Sequence, residues 1–139
     1  MPASYRILAD ARLVHSGASG ALTGGEMIAH AAALAADPAF APDYAQLTDF
    51  RAATRFETTP AEIRRLAELN PFDRTARRVG LVGSAVAFGL LRMYQILSET
   101  EDSGTLVTRD EAEAWRFLGL APGVLDSAAR AAWSSSDAG

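Results

Sequence analysis

Three times in this chain a short apolar run gives way, within a few residues, to a capped helical pattern. Residues 46–50 lead to a helix opened by Thr59-Pro60-Ala61-Glu62, residues 78–83 to Ser84 and an apolar pattern over 85–97, and residues 105–108 to a pattern over 110–118. A strand followed by a helix and then another strand of the same sheet pairs in parallel through a crossover. The alternation therefore predicts a largely parallel sheet with helices packed on it. Upstream, residues 5–8 and 12–15, separated by Ala9-Asp10-Ala11, read as a hairpin that adds one antiparallel pair. The whole is an α/β domain with a mixed sheet of about five strands and about four helices.

The punctuation is specific. Gly17-Ala18-Ser19-Gly20 predicts an irregular or bulged strand end before Leu22. Thr23 and Glu26 form a capping-box pattern, and Met27, Ala31, Leu34 and Ala35 share one helical face. Asp37-Pro38 stops that helix, because the residue before a proline avoids helical angles. Thr59 with Glu62 makes a second capping box with Pro60 at the first helical position; Ile63, Leu66 and Ala67 face inward, Arg64, Arg65 and Glu68 face water, and Asn70-Pro71 ends the helix. The run over 78–83 is continuously apolar, as in a central strand. Residues 99–104 read as an acidic turn, and Gly119 closes the last clear helix. The domain is assigned to residues 1–120. Residues 121–139 form an Ala/Ser-rich tail, with a short docked helix over 125–133 and a frayed end from Ser134.

Composition removes several classes of function. The chain has 139 residues, enough for one domain with its own core. Its 13 basic residues are all Arg, and the net charge of −4 argues against a general nucleic-acid binder. The charge is uneven: between Arg51 and Arg92 eight Arg face four acids, so that stretch is positive and the remainder strongly negative. No apolar run approaches the length of a membrane span, and the first residues lack the apolar core of a signal peptide, so a cytoplasmic protein is expected. With no Cys, disulfides, thiolate metal sites and Cys nucleophiles are excluded.

Several stretches together resemble the SpoIIAA-like group, also described as STAS or SEC14-type domains, in its small bacterial members. They are Leu22-Thr23-Gly24-Gly25-Glu26, Ala36-Asp37-Pro38-Ala39-Phe40, Gln46-Leu47-Thr48-Asp49, Arg92-Met93-Tyr94 and Asp110 through Leu118, within a resemblance covering about Ser4 to Leu120. The resemblance implies a regulatory module that switches protein partners when a hydroxyl residue at the start of the second helix is phosphorylated. The matching stretch here is Glu57-Thr58-Thr59-Pro60, with Thr58 at the phosphoacceptor position. Glu57 stands where the family has Asp, and Pro60 where it has Gly; proline lacks the backbone N–H and fixes its own φ. The SEC14 side of the resemblance implies a lipid or small apolar ligand.

Two candidate sites follow. The first is a partner or phospho-switch surface of Asp49, Glu57, Thr58, Thr59 and Arg64. A phosphate at that helix start would gain from the helix dipole and from Arg55, Arg64 or Arg65. The structural alternative is that Thr59 merely caps its helix, Thr58 is exposed, and Asp49, at a strand end, caps a turn. The second is an apolar-ligand or membrane face of Phe88, Leu90, Leu91 and Arg92, with Met93, Tyr94, Trp115, Phe117, Arg77 and Arg78 nearby; the alternative is ordinary core packing. Trp133 in the tail suits docking on the domain, on a second subunit as in a homodimer, or on a membrane surface. Gly83-Ser84 lacks the glycines and Lys of a P-loop. His15 and His30, the only histidines, have no metal-ligand spacing, and no motif implies a cofactor. No Gly-x-Ser-x-Gly is present, although counting alone leaves a Ser-His-Asp arrangement open. The expectation is a non-catalytic binding module.

Overall fold

The structure is a computed structural model that describes residues 3–97, 104–127 and 134–135. The elements run β1 (Ala3–Leu8), a 3₁₀ turn (Ala9–Ala11), β2 (Leu13–Thr23), α1 (Gly24–Ala36), β3 (Ala45–Glu57), α2 (Pro60–Glu68), β4 (Arg78–Leu81), α3 (Ala85–Leu97), β5 (Thr105–Thr108), α4 (Glu111–Leu118), α5 (Gly123–Ser127) and β6 (Ser134–Ser135). The sheet order is β5-β4-β3-β2-β1-β6. β1 pairs antiparallel with β2, and β2–β3, β3–β4 and β4–β5 are parallel. This is the mixed α/β sheet that the strand–helix alternation predicts, with the two-residue β6 added along β1.

The hairpin turns at Arg12, whose φ of 51° is left-handed and costs a non-glycine residue about 1–2 kcal/mol. Local bonds hold it there. Its N–H donates to the Ala9 carbonyl (3.1 Å), its own carbonyl accepts from Ala45 N–H (2.9 Å), and its guanidinium pairs with Asp43.

Strand alternation sends neighbouring residues to opposite faces. On one face Leu13, Leu47, Val79 and Leu81 form a core with Ala114, Trp115 and Leu118 of α4, and Val124 and Leu125 pack against it. Those last two contacts seat α5 on the sheet, earlier in the chain than the helix expected over 125–133. On the other face Val14 and Tyr5 meet Leu34 of α1, together with Phe72 and Ala76 from the α2–β4 connection. A smaller cluster of Ala3, Ala18 and Leu22 continues that face, with Met27, Phe50 and Phe56 against it.

Several boundaries differ from the expectation. β3 does not end near Phe50 but runs to Glu57, so Asp49 lies inside the strand rather than at its end. Past Asp49 the strand pairs with β2 and no longer with β4, so much of it faces water and lacks the apolar alternation that marks a half-buried strand. The irregularity expected at Gly17–Gly20 is present, Gly20 having a φ of 65°, but the strand runs on through it to Thr23. The register shifts between Gly17 and Ser19 and between Gly20 and Ala21 each place one extra residue on β3. The Thr23 capping box is half made: Thr23 Oγ1 accepts from Glu26 N–H at 3.1 Å, but Oε2 of Glu26 is buried without a partner. Ala35 is exposed, because the face set by Ala31 and Leu34 leaves it on the outer side of α1. β4 stops at Leu81, and Ser84 then caps α3 by accepting from Ala87 N–H at 3.1 Å. The acidic turn up to residue 103 and the tail around Trp133 lie outside the described residues.

Candidate functional site

Helices α1, α2 and α3 roof the sheet without filling the space beneath them. A cavity of about 130 Å³ lies between them and strands β2 to β5. Its apolar walls include Leu22, Met27, Phe50, Phe56, Ile63, Leu66, Leu90 and Leu91. Gly80 on β4 lets α3 come close, since the Leu91 side chain occupies the place that a Cβ on Gly80 would take.

One end of the cavity is polar, and its side chains form a chain of hydrogen bonds. Arg78 Nε donates to Gln46 Oε1 (3.1 Å), Gln46 Nε2 donates to Ser16 Oγ (3.1 Å), and Ser16 Oγ lies 3.1 Å from His30 Nε2. Arg78 also donates through Nη1 to the Tyr94 hydroxyl (3.3 Å), and its guanidinium stacks 4.6 Å from the Phe72 ring centroid. Tyr5 meets His30 edge to face at 5.4 Å. Sequence position explains the convergence. Ser16 on β2, Gln46 on β3 and Arg78 on β4 are neighbours across parallel ladders: Val14 pairs with Gln46, and Gln46 pairs with Arg78. His30 comes down from α1 and Tyr94 from α3.

The chain has a direction. An arginine only donates, so it takes the carbonyl oxygen of Gln46 and turns the amide nitrogen toward Ser16. Ser16 Oγ and His30 Nε2 complete the chain, the tautomer of the ring deciding which of them donates. Burial, and next the Arg78 charge, push the His30 pKa down to about 4, so the ring is neutral near pH 7. Arg78 is thus the one charged group lining the cavity, and no carboxylate pairs with it among the described residues.

The expected site residues divide between this cavity and the surface. Thr58 lies in the cavity wall with Oγ1 buried and without a hydrogen-bond partner. Thr59 is exposed and makes the full capping box, accepting from Glu62 N–H (3.2 Å) while its own N–H donates to Glu62 Oε1 (3.0 Å). Glu57 pairs with Arg55 at 3.0 Å, and Arg64 is exposed on α2. Asp49 is turned to the opposite side of the sheet from Thr48, accepting Arg51 N–H at 2.9 Å and the Arg51 guanidinium at 2.8 Å. These bonds hold the Asp49 carboxyl below its ordinary range despite partial burial, which acts against them. On α3, Leu90 and Leu91 face the cavity, whereas Phe88 and Arg92 face out, Arg92 donating to Gln95 Oε1 at 2.7 Å. Trp115 and Phe117 belong to the opposite core, although Trp115 Nε1 is buried unpaired.

Ser16, His30 and Gln46 escape a sequence search as cavity residues because each is ordinary alone, whereas Tyr94 belonged to the expected apolar-ligand face and does line the cavity. The available signal is polar residues at core-facing strand positions, Ser16 beside Val14 and Gln46 beside Leu47, where apolar ones are the rule. No group of three or more His, Asp or Glu close enough to hold a metal occurs among the described residues. No helix among them is long and apolar enough to cross a membrane. No protein-family model, curated protein or solved structure matches the chain.

Proposed function

We propose that this chain is a non-catalytic small-ligand-binding module that takes a compact, mainly apolar molecule between the sheet and α1–α3. One observation carries the reading: the cavity of about 130 Å³ has apolar walls and a polar end of linked side chains. A concave apolar site with a few convergent polar groups is the usual form of a ligand pocket. The volume is close to the roughly 150 Å³ of an engineered apolar cavity that admits benzene. Within the SpoIIAA-like resemblance, this reading follows the apolar-ligand side rather than the phospho-switch side, since the Thr58 hydroxyl is turned inward. The test is the thermal midpoint of the protein against a panel of small aromatic and branched aliphatic compounds. Ala31→Met, which extends a side chain of α1 into the cavity, should abolish the shifts seen with the wild-type chain. Shifts that persist in a folded Ala31→Met protein, or none with any compound, would refute the reading.

A second reading, docking of a protein partner or of a second copy, is favoured by the outer side of α3. Val86 and Ile96 are each 68% exposed there, and Phe88 is 39% exposed. Val86→Glu with Ile96→Glu should then lower the solution mass or lose the partner. An unchanged mass and an unchanged partner set would remove this reading.

A further inference from the structure

We infer that the ligand of this cavity is a small monocarboxylate whose charged group sits on Arg78 and whose apolar body lies against α2 and α3. The inference rests on the ligand-binding reading above and names the chemical class.

Arg78 is only partly exposed and carries its charge into a space otherwise lined by neutral groups. It has five N–H donors in a planar fork, and the protein takes two of them, one at Gln46 and one at Tyr94. Those two bonds and the stack on Phe72 fix the guanidinium in place without neutralising it. A cation partly withdrawn from water and held by neutral acceptors is unfavourable until an anion joins it. The remaining donors match a carboxylate, which an arginine fork grips through two parallel bonds.

Volume and lining then limit the rest of the molecule. About 130 Å³ holds an aromatic ring or a short branched chain and excludes a long acyl tail. Leu22, Phe50, Phe56, Leu66 and Leu90 offer no donor to a second charge. A dianion such as inorganic phosphate would leave one of its charges unmatched, because Arg78 is the only cation in the wall among the described residues.

The experiment is calorimetric titration of the full chain with benzoate, its neutral counterpart benzyl alcohol, decanoate and inorganic phosphate. Benzoate is expected to bind about tenfold or more tightly than benzyl alcohol, a margin worth about 1.4 kcal/mol. Arg78→Met should erase that preference. In the wild-type protein, the Arg78 Nε–H resonance should move on adding benzoate, which serves if the variant does not fold. Equal binding of benzoate and benzyl alcohol would overturn the carboxylate assignment and leave the apolar cavity reading standing. Tighter binding of decanoate or of phosphate would overturn the compact monocarboxylate class. No binding by any of the four would overturn both readings.

Discussion

His30 Nε2 and Ser16 Oγ lie 3.1 Å apart, joining the first helix to the second strand across the polar end of the cavity. Ser16 is 1% exposed and its hydroxyl also accepts from Gln46, so the contact with the ring is closed to water. A proton added to the ring would be buried there and would face the charge of Arg78.

Stability should therefore fall on mild acidification. Near pH 7 His30 is neutral in both the folded and the unfolded chain. Between its ordinary value of 6.5 and its folded value of about 4, the unfolded chain takes up a proton that the folded chain refuses. The loss is at most about 1.4 kcal/mol per pH unit over that window and levels off below it. His15, also lowered to about 4 by burial and by Arg6, adds a smaller share because it is more open to water. Denaturant midpoints from pH 7 to 4 should show the slope, and His30→Gln should flatten it.

Gln46 links the arginine to the serine, and at 5% exposure it has little water to replace either bond. Gln46→Leu leaves Arg78 Nε and Ser16 Oγ each short of a partner, at an expected cost of about 2–4 kcal/mol. Adding Arg78→Met to it should cost less than the sum of the two single changes. Additive losses in a double-mutant cycle would show that the link is not energetic.

Adjacent threonines should respond in opposite ways. Thr59→Ala removes a helix cap and should cost about 1 kcal/mol. Thr58→Val removes a buried hydroxyl that bonds to nothing, and should be within about 0.5 kcal/mol of neutral or stabilising. Thr58→Asp should fall at least about 2 kcal/mol below Thr58→Val, because a carboxylate would have to enter the wall or force the loop outward. Thermal melts of the three variants decide this. A well-tolerated Asp would restore the phospho-switch reading of Thr58.

Gly80→Ala should lose about 1–3 kcal/mol, since the new methyl group and Leu91 would need the same place. Leu91→Ala in the same chain should recover part of that loss. A Gly80→Ala protein as stable as the wild type would mean that α3 shifts freely over β4.

Elements with one wet and one dry face were legible from sequence, and so were those with side-chain caps. Leu34 and Ala31, Ile63 and Leu66, and Trp115 and Leu118 announce helices by spacing, and Thr59, Ser84 and Asp110 mark where they begin. The second half of β3 was not legible, because Arg51 through Glu57 pair on one side only and carry polar residues outward on both faces. The cavity was only half legible. Leu90 and Leu91 belonged to the predicted apolar face and do line it, yet Phe88 and Arg92 of the same helix point away. The polar chain depends on parallel register between β2, β3 and β4, a relationship between distant segments that no local pattern encodes.

The parallel ladders also set how much loop closure each pairing costs. Leu13 pairs with Ala45, Leu47 with Val79, and Leu81 with Thr108, each across a helix and its connections. Loop closure has to be completed before any of these contacts is rewarded, whereas the β1–β2 hairpin closes over only Ala9 to Arg12. The hairpin therefore has the lowest closure cost of the pairings in the sheet, and each step from β2 toward β5 adds one crossover. The cavity, walled by residues from β2 to β5, has complete walls only when all three crossovers are closed.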